Sequence, residues 1–216
     1  MEEIHQIGVS KNGRVGYGFS DIAVVPQRRT RDPEDVSTKW TIDAYQFDIP
    51  VVGAPMDSAM SPQTVIALGH MGGLGVLDLE GLWTRYEDPS EAFTRIREAT
   101  PENATRVLQE VYAAPIRAEL ITARLAEIRE AGVTVAGSLS PQRTQEFYQT
   151  VLDAGVDLFV IRGTTVSAEH VSTAHEPLNL KKFIYELDVP GIGGGAATST
   201  GVPGPYTTPT VPTEGG

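Results

Sequence analysis

A chain of 216 residues with 40% hydrophobic and 21% charged side chains is long enough for one buried core, which excludes wholesale disorder. Its 17 basic against 28 acidic side chains give a formal net charge of −11, which repels phosphate backbones and anionic lipid headgroups, so neither nucleic acid nor a membrane is expected as a partner. No cysteine is present, which rules out a disulfide framework, a thiolate metal site or a cysteine nucleophile among these residues, and the acidic start MEEIHQIG without a long apolar run predicts a cytoplasmic, soluble protein.

In chain order, Ile22 to Val25 reads as a peripheral strand stopped by Pro26. Ile49 to Ala54 is a short, nearly continuous apolar run, the pattern of a strand buried on both faces. Ser61 and Pro62 then form an N-cap with proline in the first helical position, ahead of Val65, Ile66 and Leu68. A second buried strand spans Leu74 to Leu77. The long connection 80–114, with Trp83, Tyr86, Asp88-Pro89 and a helical stretch near Glu91 to Glu98, reads as one extra helical excursion.

Pro115 opens another helix, with Ile116, Leu120, Ile121, Leu125 and Ile128 on one side and Gly132 beyond it, and a strand follows at Val133 to Ala136. Ser140 and Pro141 repeat the N-cap device. Phe147, Tyr148, Val151 and Leu152 form that helix's apolar stripe, Gly155 is placed to end it in the left-handed conformation, and Val156 to Ile161 is the next strand. A fifth strand starts at Val189. After Pro190 the chain turns to glycine, proline and threonine, and disorder is expected for 201–216.

Strand and helix in regular alternation require right-handed crossovers and a parallel sheet. Asp57, Asp78, Ser138 and Arg162 each follow an apolar run by one to three residues, which gathers polar groups at the C-terminal strand ends where barrel enzymes keep their chemistry. The expected fold is therefore α/β: a partial (β/α)8 TIM barrel of about five βα units over residues 1–200.

The most informative string is Val51-Val52-Gly53-Ala54-Pro55-Met56-Asp57-Ser58. A buried strand that runs out into small residues, a proline and Met-Asp leaves a flat, soft apolar surface beside a carboxylate, which suits a planar heterocycle; on packing grounds alone, a methionine is more often core. Met71-Gly72-Gly73-Leu74-Gly75-Val76-Leu77 permits a tight passage from helix to strand. Gly191, Gly193 and Gly195 lack a following helix, with Pro203 and Pro205 in the way, and make a weak dinucleotide motif. His5, His70, His170 and His175 show no ligand spacing, so no metal site is expected. No G-x-S-x-G elbow occurs.

Taken together, Phe19-Ser20-Asp21-Ile22 with Val25-Pro26, then Asp35-Val36-Ser37-Thr38, Ile49-Pro50, Ala54-Pro55-Met56-Asp57 and Gly72-Gly73-Leu74-Gly75-Val76 resemble the opening of the IMP dehydrogenase/GMP reductase family in order and spacing. Tyr112-Ala113-Ala114-Pro115-Ile116 stands where a CBS pair is usually inserted, which resembles the compact branch that lacks it. The resemblance implies oxidation of IMP to XMP with NAD, or reduction of GMP to IMP with NADPH, through a covalent cysteine adduct at purine C2, and a tetramer in intact relatives.

By the same resemblance, Ala54, Met56, Asp57 and Gly195 would contact a purine nucleoside monophosphate. Ala54 stands in place of the family's usual serine and Gly195 in place of an asparagine. Arg162, Gly163 and Thr164 stand at the cofactor-side strand end, where many relatives have Asp-Ser-Ser. The catalytic-cysteine loop, the Asp-Gly-Gly phosphate segment and the flap of the family lie beyond the fifth strand. The pattern is lost after about Thr200, as a truncation, a frameshift or a gene-model error would produce. No catalytic residue is therefore expected in the chain as written, nor turnover from it. Two rival readings are a flavin-dependent barrel oxidoreductase of the nitronate monooxygenase kind and a non-catalytic barrel fragment that pairs with another chain.

Overall fold

The computed structural model describes residues 4–15, 17, 19–25, 28–29, 31–162, 183, 187 and 189–193. Gly163, Thr164, Gly195 and the 201–216 tail lie outside these. The chain divides into two compact units, 1–37 and 38–216. In the first, β1 (Ile4–Gly8) and β2 (Lys11–Arg14) pair antiparallel. The predicted strand at Ile22 to Val25 does not form: these residues have no regular structure, and Val24 is 98% exposed. Pro26, at the end of the run, removes a ladder donor.

The second unit opens with a hairpin of β3 (Trp40–Ile42) and β4 (Tyr45–Phe47), paired Trp40 to Phe47 and turning through Asp43 at φ 50°. Five strands then form a parallel sheet in chain order: β5 (Val52–Gly53), β6 (Leu74–Asp78), β7 (Ala136–Leu139), β8 (Leu158–Ile161) and β9 (Gly191–Gly193). Among the described residues five helices fill the first three crossovers: α1 (Pro62–His70) between β5 and β6, α2 (Ser90–Arg97), α3 (Ala104–Val111) and α4 (Ala118–Glu130) between β6 and β7, and α5 (Pro141–Asp153) between β7 and β8. This is the first part of a (β/α) barrel.

Strand alternation sorts the side chains into two cores. Leu74, Val76, Ala136, Leu158 and Val160 face inward and pack on Trp40, Ile42 and Phe47 of the hairpin. Leu77, Leu79, Val135, Leu139, Phe159 and Ile161 face outward against Val65 of α1, Ile121, Leu125 and Ile128 of α4, and Phe147 and Val151 of α5. Trp40 stacks on Phe47 at 4.5 Å and donates its indole N–H to the Ile49 carbonyl at 2.7 Å. The Tyr45 hydroxyl reaches Asp157, just before β8, at 3.2 Å. The hairpin thus seals the N-terminal end of the inner face and leaves the chemistry to the other end.

The helix starts follow the sequence. Ser61 forms a capping box with Thr64, and the Ser140 side chain accepts from the Arg143 N–H. Gly132 and Gly155 leave α4 and α5 at φ 75° and 77°. Three expectations are corrected. The strand expected at Val133 to Ala136 is displaced to Ala136–Leu139, because the ladder runs through Gly137 and Ser138, small residues without an apolar signature. The strand read as Ile49 to Ala54 pairs only at Val52 and Gly53. The 80–114 excursion holds two helices and a 3-10 turn at Leu82–Thr84 instead of one helix.

Candidate functional site at the C-terminal strand ends

Each crossover sends the chain from the end of a strand into a helix, so the residues just past β5, β6, β7 and β8 meet at one end of the sheet. Asp78 closes β6 and its Cα pairs with that of Ser138 in β7. Arg162 follows β8 and donates its backbone N–H to the Leu139 carbonyl at 2.9 Å. The Arg162 Nη2 lies 2.9 Å from both Asp78 carboxylate oxygens. Asp78 Oδ1 also accepts from the Glu80 N–H at 3.0 Å.

Asp78 is 8% exposed, and burial pushes its carboxyl up to about 6; the Glu80 N–H and the Arg162 charge pull the other way, and the charges of Asp57 and Glu80 add to the rise. An ion pair would by itself lower a carboxyl's pKa, so desolvation outweighs the guanidinium here. Ser138 is fully buried, and its hydroxyl has no partner among the described residues, as is also true of Arg162 Nε.

The loop after β5 is built differently. Met56 donates its N–H to the Ala54 carbonyl at 2.8 Å, and its own carbonyl accepts from Ala59 and Met60, so the Ala54-Pro55-Met56-Asp57 segment winds tightly towards α1. Ala54 is exposed, and Met56 is 46% exposed. Asp57 points its Oδ2 at the Leu82 N–H, 2.8 Å away, and the Tyr112 hydroxyl, 2.6 Å away. A Cβ at Gly81 would lie 2.4 Å from Asp57 Oδ1, so only glycine lets the Leu82 amide approach this carboxylate. The Tyr112 phenol is pushed above its ordinary range, by burial first and then by Asp57.

Arg85 fastens the excursion: it donates to the carbonyls of Glu80, Tyr112 and Ala114 and lies over the Tyr112 ring. Glu80 in turn accepts from the Ser140 N–H at the start of α5. A continuous set of polar contacts therefore joins the loops after β5, β6, α3 and β7.

The structure brings together Asp57, Asp78, Ser138 and Arg162, with Ala54 and Met56 beside them in sequence and strand position. Sequence reasoning missed Tyr112, Arg85, Glu80 and Gly81 as parts of this end. Tyr112 stands in the sequence only as part of the string Tyr112 to Ile116, and nothing in local spacing marks Arg85 or Gly81, because Tyr112, Ala114 and Asp57, which they meet, are distant in the chain. Among the described residues no group of three or more His, Cys, Asp or Glu side chains could hold a metal ion, and no helix is long and apolar enough to cross a membrane.

Comparison with known proteins adds an independent line. A family model described as the IMP dehydrogenase / GMP reductase domain matches residues 16–204. An uncharacterized oxidoreductase of Mycolicibacterium smegmatis is 48% identical over 195 residues, which is 88% of this chain and 52% of that protein. One of Mycobacterium tuberculosis is 49% identical over the same shares. A crystal structure of an IMP dehydrogenase/GMP reductase-like protein from Corynebacterium glutamicum superposes with a TM-score of 0.83 at 46% identity, covering 92% of this chain and 53% of that one. The inosine-5'-monophosphate dehydrogenase of Methanocaldococcus jannaschii is 34% identical over 61 residues, 28% of this chain. The chain spans about half the length of these full-length oxidoreductase relatives.

Proposed function

Because the chain belongs to the IMP dehydrogenase/GMP reductase family, we propose that it supplies the purine-facing strand ends of a cytoplasmic oxidoreductase that converts IMP to XMP with NAD, or GMP to IMP with NADPH. The observation that carries the reading is the Met56 loop. A half-exposed thioether at the end of β5 offers a soft, polarisable floor for a planar purine. Its loop is held by Asp57, whose Oδ2 is spent on the Leu82 N–H and the Tyr112 hydroxyl.

In this reading Ala54 and Met56 line the base and Asp57 keeps the loop in place, and the family resemblance gives Gly195 a contact to the nucleotide. A bound dinucleotide would supply hydride transfer, as acceptor in the oxidation of IMP or as donor in the reduction of GMP. Arg162, Gly163 and Thr164 would hold it. Arg162 Nε and Ser138 Oγ, unpartnered among the described residues, fit such an acceptor-rich group. The family's cysteine nucleophile is not among these 216 residues, so this chain's share of the chemistry is binding and orientation, and the covalent step requires a thiolate from outside them.

Calorimetric titration with IMP tests the reading. IMP is expected to bind, and Met56→Ala to weaken binding about tenfold, as loss of one buried apolar contact worth about 1.5 kcal/mol implies. Mixing the protein with IMP and NAD is expected to give no rise in NADH absorbance. Absence of IMP binding, or an affinity indifferent to Met56, overturns the proposal. A second reading, pairing of this chain with another copy or chain, is favoured by Val51 and Val52, 46% and 52% exposed at the β5 edge. Sedimentation showing only monomer over the micromolar range would count against it.

A further inference from the structure

The inward residues at the ends of β6, β7 and β8 are Asp78, Ser138 and Arg162. Strand register sets them side by side: Asp78 is opposite Ser138, Ser138 is opposite Val160, and Arg162 comes two residues later. To reach Asp78 the Arg162 side chain must cross β7, the strand that carries Ser138. It makes that contact with one nitrogen, Nη2. Arg162 Nε and Ser138 Oγ are both buried and unpartnered among the described residues, yet the arginine side chain as a whole keeps 41% exposure.

A guanidinium has five N–H donors and no acceptor. Among the described residues Nε is unspent here, next to a serine hydroxyl that is equally unspent. Unmade hydrogen bonds on buried donors are costly, and the group that would complete them is rich in acceptors. A carboxylate or phosphate matches the planar fork of an arginine, which a lysine could not reproduce. We propose that Arg162, held by Asp78 until a ligand arrives and backed by the Ser138 hydroxyl, is an oxyanion subsite that takes a phosphate or carboxylate group at this end of the barrel. The inference does not depend on Met56 as a purine floor, but it deepens the reading that gives Arg162 to the dinucleotide, by naming the chemical group this strand end would take.

The surrounding charges set the condition for binding. Asp78 is faced by Arg162 from β8, by Asp57 from the loop after β5 and by Glu80 from its own loop; Arg85 and Tyr112 lie beyond Asp57. Adding an anion among three carboxylates requires that one of them lose its charge. Asp78 is nearest to doing so, because burial already raises its pKa to about 6. Oxyanion binding therefore takes up a proton at Asp78, leaves the guanidinium free to turn to the ligand, and tightens as pH falls from 8 to 6.

Sulfate is the probe, since it stays fully ionised over that range. Calorimetric titration of the 216-residue chain is expected to show sulfate binding about tenfold tighter at pH 6 than at pH 8. Arg162→Gln should weaken binding at pH 6 by about tenfold or more. Asp78→Asn should bind at pH 8 as the parent does at pH 6, with no pH dependence left. Displacement of sulfate by IMP but not by inosine would support a nucleotide phosphate as the occupant, and displacement by neither would support a separate anion. Sulfate that does not bind, that binds equally well to Arg162→Gln, or that keeps its pH dependence in Asp78→Asn overturns the proposal.

Discussion

Replacing Asp78 by asparagine isolates the electrostatic cost of this end of the barrel. The carboxyl is displaced upward from 3.8 to about 6 in the folded protein, with burial the largest cause. At 1.36 kcal/mol per pH unit this amounts to about 3 kcal/mol. The sign follows from proton counting. Between pH 3.8 and 6 the folded chain holds a proton on Asp78 that the unfolded chain has released, so stability falls as pH rises through that window and stays lower above it.

Asparagine keeps the shape and an acceptor for the Glu80 N–H but carries no charge. The contacts to Arg162 that it weakens are already contained in the net upward displacement of the carboxyl. At pH 8 the variant is therefore expected to be about 3 kcal/mol more stable than the parent. At pH 4, where the parent carboxyl is neutral in the fold, the advantage of asparagine is gone. The difference in unfolding free energy between variant and parent should therefore change by about 3 kcal/mol from pH 4 to pH 8, in favour of the variant at high pH. Urea unfolding followed by circular dichroism at several pH values measures it, and taking the difference removes the other titrating groups. Parallel stability curves for the two proteins would refute the reasoning.

Two further perturbations test the frame. Tyr112→Phe removes the hydroxyl that donates to Asp57 at 2.6 Å; a loss of about 1.5 kcal/mol or more in urea is expected, since the carboxylate keeps only the Leu82 N–H. In an alkaline absorbance titration, the same variant should lose a phenol that ionises later than an exposed tyrosine. Gly75→Ala would set a Cβ 2.6 Å from the Val65 Cα, so α1 must move off β6 and the midpoint should fall by about 1–3 kcal/mol equivalent; an unchanged midpoint would show that the helix is free to shift.

Much of the frame is legible because its signals are local. Buried parallel strands such as Leu74–Asp78 and Leu158–Ile161 read as continuous apolar runs, since both faces are covered. Ser61-Pro62 and Ser140-Pro141 mark helix starts because the cap satisfies amides within the next turn. The Ala54-Pro55-Met56-Asp57 string likewise carries its family likeness in adjacent residues. The hairpin Trp40–Phe47 carries no such signal, for its strands are three residues each and too short to set a period. At β7, Gly137 and Ser138 conceal a central strand, because only its neighbours in the sheet make the ladder.

What the residue order alone determined is the succession of strands and helices, and so the end at which the polar residues collect, because the chain must leave each strand before it can cross back. Tertiary structure decided who partners whom. Arg162 meets Asp78 across 84 residues, and Tyr112 meets Asp57 across 55. Such contacts depend on the curl of the sheet and on desolvation at its mouth, quantities that belong to the packed molecule and to no segment of it.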